Sequence, residues 1–283
     1  MGHPGWYDTV QGELQNSFRV LLSKIVVDTE DFRCMMRKTR CVISGSMALY
    51  YLQRLPLSWT PRDADLICPR DTFEDVIEYV KTLAGSRVLY TSDEATEPTG
   101  YSLRMSGFDR LVKVLTPLGV IDIMRSKTVS ALYPVAHYWG THVMNVLTAD
   151  NFISAYPSST INGVGYFTTT PNHDAVHAAI EKYRRRGFTL SDVRGDVLAA
   201  SHAGECDAIC ANVDRFFGDD KCLVVPIGDG GYTWVEKKKQ GGESVGWRLG
   251  GEVCGTGTCF LPSEFTVRPI RFGAVGRIEA QVI

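Results

Sequence analysis

Asp63 and Asp65 are separated by a single alanine in the otherwise apolar run DADLIC. If that run is a strand, both carboxylates point to one side while Ala64 and Leu66 point to the other. Carboxylates held that close repel, and both stay ionised only when a cation lies between them. A hard divalent ion such as Mg²⁺ or Mn²⁺ accepts such oxygen ligands and keeps water or phosphate oxygens for its other positions. A third carboxylate, Asp122, lies in the run GVIDIM between Ile121 and Ile123. Were the two strands neighbours, Asp63, Asp65 and Asp122 would make one site able to hold two cations ~3.5–4 Å apart, the arrangement suited to in-line phosphoryl or nucleotidyl transfer.

Upstream, Ser44-Gly45-Ser46 breaks the strand-like RCVI just before the helical MALYYLQRL. A helix start offers free N–H groups and a favourable dipole to an anion, and glycine lets a phosphate approach the backbone. Gly45 and Ser46 are therefore candidate phosphate-binding residues. Lys113 alternates with Val112 and Val114, so it leaves the core face, either to reach a triphosphate or to stand on a solvated strand face. Arg62, Arg104 and Arg125 are the other cations near the acidic runs.

In this order, ISGS, DADL and VIDIM resemble the nucleotidyltransferase superfamily, which includes DNA polymerase beta, poly(A) polymerases and aminoglycoside nucleotidyltransferases. The resemblance spans Arg40 to Arg125. It implies a transferase moving a nucleotide from an NTP to an acceptor hydroxyl with release of pyrophosphate. Gly45 and Ser46 would bind phosphates, Asp63 and Asp65 metal, and Asp122 would complete the site and help activate the hydroxyl. The interval from Ser46 to Asp63 is longer than the family's usual one, with LPLSWTPR as the insertion. The later stretch YWGTHVMNVLTADNFISAYP is similar to one in uncharacterised fungal proteins of the superfamily. RNA ends, small molecules and protein side chains all remain open as acceptors. Two other readings stand beside this one. One is a catalytically silent protein of the same fold that binds a nucleotide or a partner. The other is a nucleotide-sugar glycosyltransferase, which would leave Gly45-Ser46 and Asp122 without a role.

The elements expected to place these residues begin with a helix capped by Asp8 and running to about Val27, its apolar face formed by Val10, Leu14, Phe18, Leu21, Leu22 and Ile25. A short helix DFRCMMRK follows, then strand RCVI, helix MALYYLQRL and strand DADLIC, stopped by Pro69. Asp71 and Glu74 form a capping-box-like start to a helix buried through Phe73, Val76, Ile77 and Val80, with Gly85 as its stop. RVLYTS, YSLRMSG, RLVKVLT and VIDIMRS read as strands. The expected class is α+β (α/β): a small mixed sheet with flanking helices of nucleotidyltransferase type over 1–128. A mainly helical acceptor-side region over 129–200 and a cysteine-containing, β-rich extension over 201–283 would follow.

At 283 residues the chain is long enough for a full core, and its net charge of −2 gives no global field for nucleic acid or membrane surfaces. No apolar run reaches the ~20 residues of a membrane span, and the N-terminus lacks the order of a secretory signal. A cytoplasmic location is expected, a nuclear one is compatible, and no membrane partner is expected. The eight cysteines should then be reduced thiols. His202, Cys206 and Cys210, spaced four apart, can join Cys222, or Cys254 and Cys259, in a structural Zn²⁺ site, although small core cysteines explain them too. His173 and His177 read as surface residues. KYRRRGF and EKKKQ read as solvated basic faces, with Arg184–Arg186 the place to expect RNA contact if RNA is the substrate.

Overall fold

The computed structural model describes residues 4–53, 57–92, 107–167, 174–192, 210, 213–227, 243–250, 265–272 and 278–279. The amino-terminal helix α1 (Pro4–Leu22) starts at a proline, which suits a first turn where no N–H partner is needed. Asp8 therefore lies inside the helix and does not cap it. Phe18, Leu21 and Leu22 are buried as the spacing predicts, but Val10 is 54% exposed. Helix α2 (Thr29–Thr39) is capped by Asp28, whose carboxylate accepts from the Asp31 N–H at 2.9 Å; it ends at Arg40 in the left-handed region. Strand β1 (Val42–Ser44), helix α3 (Gly45–Gln53) and strand β2 (Asp63–Cys68) fall where the pattern puts them.

Helix α4 (Phe73–Thr82) buries Phe73, Val76, Ile77 and Val80, but the capping box is absent. Asp71 pairs instead with Arg40 at 2.5 Å and Glu74 with Arg110 at 2.7 Å, so neighbouring guanidinium groups took both carboxylates. The helix stops before Gly85, whose positive φ serves the following turn. Strands β3 (Arg87–Ser92), β4 (Phe108–Leu115) and β5 (Val120–Ser126) follow, with most of YSLRMSG outside the described residues.

The region expected to be mainly helical is not so. Helix α5 (Tyr133–Ala136) is one turn long, and strands β6 (Asn145–Leu147) and β7 (Asn151–Ser154) extend the main sheet. After them come helix α6 (Pro157–Ile161), strand β8 (Val164–Phe167), helix α7 (Asp174–Arg185) and strand β9 (Thr189–Asp192), with β8 parallel to β9. The carboxy-terminal third is strand-rich, as its glycine-punctuated pattern predicts. It comprises β10 (Arg215–Phe216), β11 (Leu223–Pro226), β12 (Glu243–Arg248), β13 (Thr266–Phe272) and β14 (Ile278–Glu279). It is not a free-standing appendage, because β11 pairs with β7 at the edge of the main sheet. Trp247 of β12 also donates to the Tyr156 hydroxyl at 2.8 Å.

Among the described residues the main sheet has eight strands in the order β11-β7-β6-β1-β2-β5-β4-β3. Its β2–β5 pair is parallel and its other neighbours are antiparallel. The mixed sheet with helices makes the α+β class plain. One face packs Ile43, Leu66 and Ile123 against Phe18, Phe32 and Phe73 of the first helices. The other face packs Val42, Ile67 and Met124 against Tyr156, Phe217 and Trp247. A third cluster, Leu49 with Ile180, Tyr183 and Phe188, ties α7 to α3. Within it His142 has ring centroids 4.6 Å from Tyr183 and 5.0 Å from both Trp139 and Phe188, and neither ring nitrogen has a hydrogen-bond partner. Burial pushes its pKa down to about 3, so it is neutral. Among the described residues no helix is long and apolar enough to cross a membrane.

A buried ion pair fixes the carboxy-terminal strands. Arg215 donates from Nε to Asp219 Oδ2 at 2.5 Å and from Nη2 to the Ala155 carbonyl at 2.8 Å. Burial works against the Asp219 carboxylate, but the Arg215 hydrogen bond prevails and holds it below the usual range. We expect Asp219→Asn to cost about 3–5 kcal/mol in urea unfolding, because it strands a buried guanidinium. A depressed carboxylate stabilises the fold above its unfolded pKa, so this contribution is lost as pH falls through the acid range, and the variant should lack that part of the acid dependence.

Candidate functional site

Strand register brings the acidic residues together. Ser44 of β1 is opposite Asp65 of β2, Asp65 opposite Asp122 of β5, and Asp122 opposite Lys113 of β4. Four strands thus place Ser44, Asp65, Asp122 and Lys113 in one transverse row, with backbones ~4.8 Å apart. Asp63 lies two residues from Asp65 on the same face. That face buries Val42, Ile67 and Met124 one step along the strands, so the carboxylates begin where the apolar layer ends.

Gly45 adopts φ +59°, a region costly for any residue with a Cβ. A Cβ there would overlap Asp65 Oδ2 and come within 2.8 Å of Asp65 Cγ. Glycine is thus required twice over, by its backbone angle and by the carboxylate resting against it. It opens α3, and the buried hydroxyl of the next residue, Ser46, has no hydrogen-bond partner. Ser44 is occupied, donating to the Asn145 carbonyl at 2.7 Å.

The electrostatics follow from this crowding. Burial, then the charges of Asp63 and Asp122, push the Asp65 carboxyl up to about 7, while Lys182 and Lys113 ease it. Burial also raises Asp122, opposed by Lys113 and reinforced by Asp63. Lys113 donates to Asp122 Oδ2 at 2.9 Å, leaving Asp122 Oδ1 buried without a partner. Lys113 is therefore an ion-pair partner of the acidic row, which replaces the solvated-face alternative.

Among the described residues, no group of three or more His, Cys, Asp or Glu side chains stands as a ready-made metal cage. At Asp122, Lys113 holds one of the two carboxylate oxygens. The unpartnered second oxygen, the crowding at Asp65 and the all-carboxylate donor set are what a hard divalent ion would satisfy.

Several cations near the row come from elements the motifs did not include. Lys182 of α7 faces Asp65 electrostatically, and Arg186, just past α7, feels Asp63. Arg186 lies over the Trp59 ring at 4.0 Å and over Tyr183 at 5.1 Å. The signal was present in KYRRRGF, where a helical reading puts Lys182 and Arg186, four apart, on one face, although the helix itself ends at Arg185. Arg184 instead pairs with Glu181 at 2.9 Å. Arg125 binds Asp109 at 2.6 Å and lies over Phe73, on the opposite sheet face from the carboxylates. Beside Asp63 a cavity of about 250 Å³ is lined by Lys24, Ile25, Met47, Pro61, Arg62, Asp63 and Leu118.

Of the residues considered for zinc, Cys210 is buried and is not in a disulfide. Cys222 donates to the Phe216 carbonyl at 3.5 Å, and burial beside Asp219 pushes its thiol up to about 12. His202, Cys206, Cys254 and Cys259 lie outside the described residues, as do His173, Arg104 and the EKKKQ run. His177 is exposed, as expected.

A scan of the chain against protein-family models returns no match, and a search of curated proteins returns none.

Proposed function

We propose that the chain is a divalent-metal-dependent nucleotidyltransferase acting from a nucleoside triphosphate onto an acceptor hydroxyl. The observation that carries this reading is the row of Ser44, Asp65, Asp122 and Lys113, with Gly45 pressed on Asp65 at a helix start. It gathers the three motifs of the resemblance at one place. Mg²⁺ or Mn²⁺, held by Asp63, Asp65 and Asp122, would neutralise phosphate charge and ease loss of the hydroxyl proton. The N–H groups opening α3 and the unpaired Ser46 hydroxyl donate to phosphate oxygens. The acceptor oxygen bonds to the α-phosphorus, and the bond to pyrophosphate breaks with its electron pair leaving on pyrophosphate. The hydroxyl proton passes to solvent water. Lys113 orients Asp122 in this scheme, so phosphate contact falls mainly to other groups.

The nucleotide-sugar alternative gives Asp122 no role, and the alignment of Asp65 with Asp122 favours transfer over it. A nucleotide-binding protein without transfer is the second reading, favoured by the Lys113–Asp122 ion pair that competes for the carboxylate. Incubation with α-labelled NTPs and Mg²⁺ or Mn²⁺ separates them. Incorporation is expected from the natural protein and should drop about a thousandfold in Asp63→Ala/Asp65→Ala, a loss of roughly 4 kcal/mol of transition-state stabilisation. Equal incorporation by both contradicts catalysis at this site. Nucleotide binding without any incorporation supports the second reading.

A further inference from the structure

Lys24, Arg62 and Arg186 gather about Asp63, beside the acidic row. Other arginines are taken up: Arg33, Arg37, Arg125 and Arg215 each hold an aspartate. Among the described residues Lys24, Arg62 and Arg186 have no ion-pair partner. Arg62 and Arg186 repel one another, and Arg186 is kept in place by its stack on Trp59, a residue of the insertion before β2. Lys24 and Arg62 stand on the wall of the 250 Å³ cavity, whose remaining surface is Ile25, Met47, Pro61 and Leu118 apart from Asp63. The wall is tied to the neighbouring hairpin: Thr116 donates to the Ile25 carbonyl at 3.3 Å.

We propose that this cavity is the acceptor subsite and that its acceptor is a small phosphorylated alcohol of the sugar-phosphate kind. The inference rests on the transferase reading and names its second substrate. Two exposed cations without anionic partners recognise a phosphate monoester, and the arginine fork suits two of its oxygens. The apolar surface takes the carbon skeleton. Ligand pockets commonly run to ~300–1,000 Å³, so this volume holds a compact molecule and excludes a polymer. Asp63 lines the cavity and lies two residues from Asp65 on the same strand face, so a hydroxyl of the bound molecule approaches the carboxylates from there. Gly45 rests on Asp65 instead, which leaves the helix start to the nucleotide.

Calorimetry without any NTP tests this. Ribose 5-phosphate and glycerol 3-phosphate should bind, while ribose and glycerol should not. Inorganic phosphate should bind at least about tenfold more weakly than ribose 5-phosphate, roughly 1.4 kcal/mol. Lys24→Gln/Arg62→Gln, at exposed positions, should fold normally by circular dichroism and weaken the sugar phosphate about tenfold or more. Equal binding of phosphate ester and alcohol, equal binding of inorganic phosphate, or an unaffected double variant would each overturn the proposal. So would tighter binding of a 5′-phosphorylated oligoribonucleotide. If sugar phosphates bind while NTP turnover is absent, the cavity assignment survives and the transferase reading fails. NTP incorporation into other acceptors without sugar-phosphate binding gives the reverse.

Discussion

Asp65→Asn should melt at a higher temperature than the natural protein in metal-free buffer at about pH 8, by about 3–5 °C, which for a chain of this size corresponds to roughly 2–3 kcal/mol. The cause is the carboxyl pushed up to about 7 by burial and by Asp63 and Asp122. A carboxyl whose folded pKa lies above its unfolded one binds its proton more tightly in the fold. Its protonated form therefore supports folding fully below the unfolded pKa of about 4, and that support is lost as pH rises through about 7. Above that, the natural protein carries a crowded anion that asparagine, of the same shape, does not. The gain should shrink on acidification and vanish near pH ~4, where both states are protonated. His142 acts in the opposite direction, since a buried neutral imidazole destabilises the fold as pH falls from about 6.5 toward 3. Both proteins share that residue, so the difference between their melting curves isolates Asp65. Mg²⁺ should stabilise the natural protein near pH ~8 and leave Asp65→Asn almost unmoved, because a bound ion stabilises only in proportion to its affinity for the folded state. An unchanged or lowered melting temperature for the metal-free variant would contradict the crowding.

Gly45→Ala carries the second large effect. The left-handed φ alone costs an alanine about 1–2 kcal/mol. The added methyl must also displace the Asp65 carboxylate, since it would overlap Oδ2. Urea unfolding should show a loss of about 2–4 kcal/mol, a typical size for strain combined with overpacking. Transfer should drop about a hundredfold or more, as a misplacement of ~1 Å in a reacting group can cost that much. Combined with Asp65→Ala, only the backbone cost should remain, so the two changes should be non-additive by more than about 1 kcal/mol. Additive losses would show that Gly45 matters for its backbone angle alone.

Much of the site was legible in local pattern. The alternation in DADLIC and VIDIM gave the facing of all three aspartates, and both strands formed where expected. The Lys113–Asp122 pair was not read from the sequence, where Lys113 stood as a triphosphate contact or a solvated residue, but a local turn explains it. Thr116 N–H donates to the Gly119 carbonyl at 2.8 Å across Pro117-Leu118, and that tight hairpin forces residue 113 opposite 122. What no local pattern holds is the parallel register of β2 on β5, which depends on the whole sheet. Strands β6 and β7 were missed because each is short and buried throughout, so neither shows the alternation of a half-exposed strand. Lys182 and Arg186 reach the acidic row through the packing of Tyr183, Ile180 and Phe188, which depends on tertiary contacts.

The most direct measurement is Mn²⁺ binding followed by electron paramagnetic resonance at about pH 8, for the natural protein and the single variants Asp63→Asn, Asp65→Asn and Asp122→Asn. Near-stoichiometric binding is expected for the natural protein, weakened about tenfold or more in each variant, roughly 1.4 kcal/mol of lost ligation apiece. Binding that is indifferent to all three substitutions would mean the carboxylates share no ion.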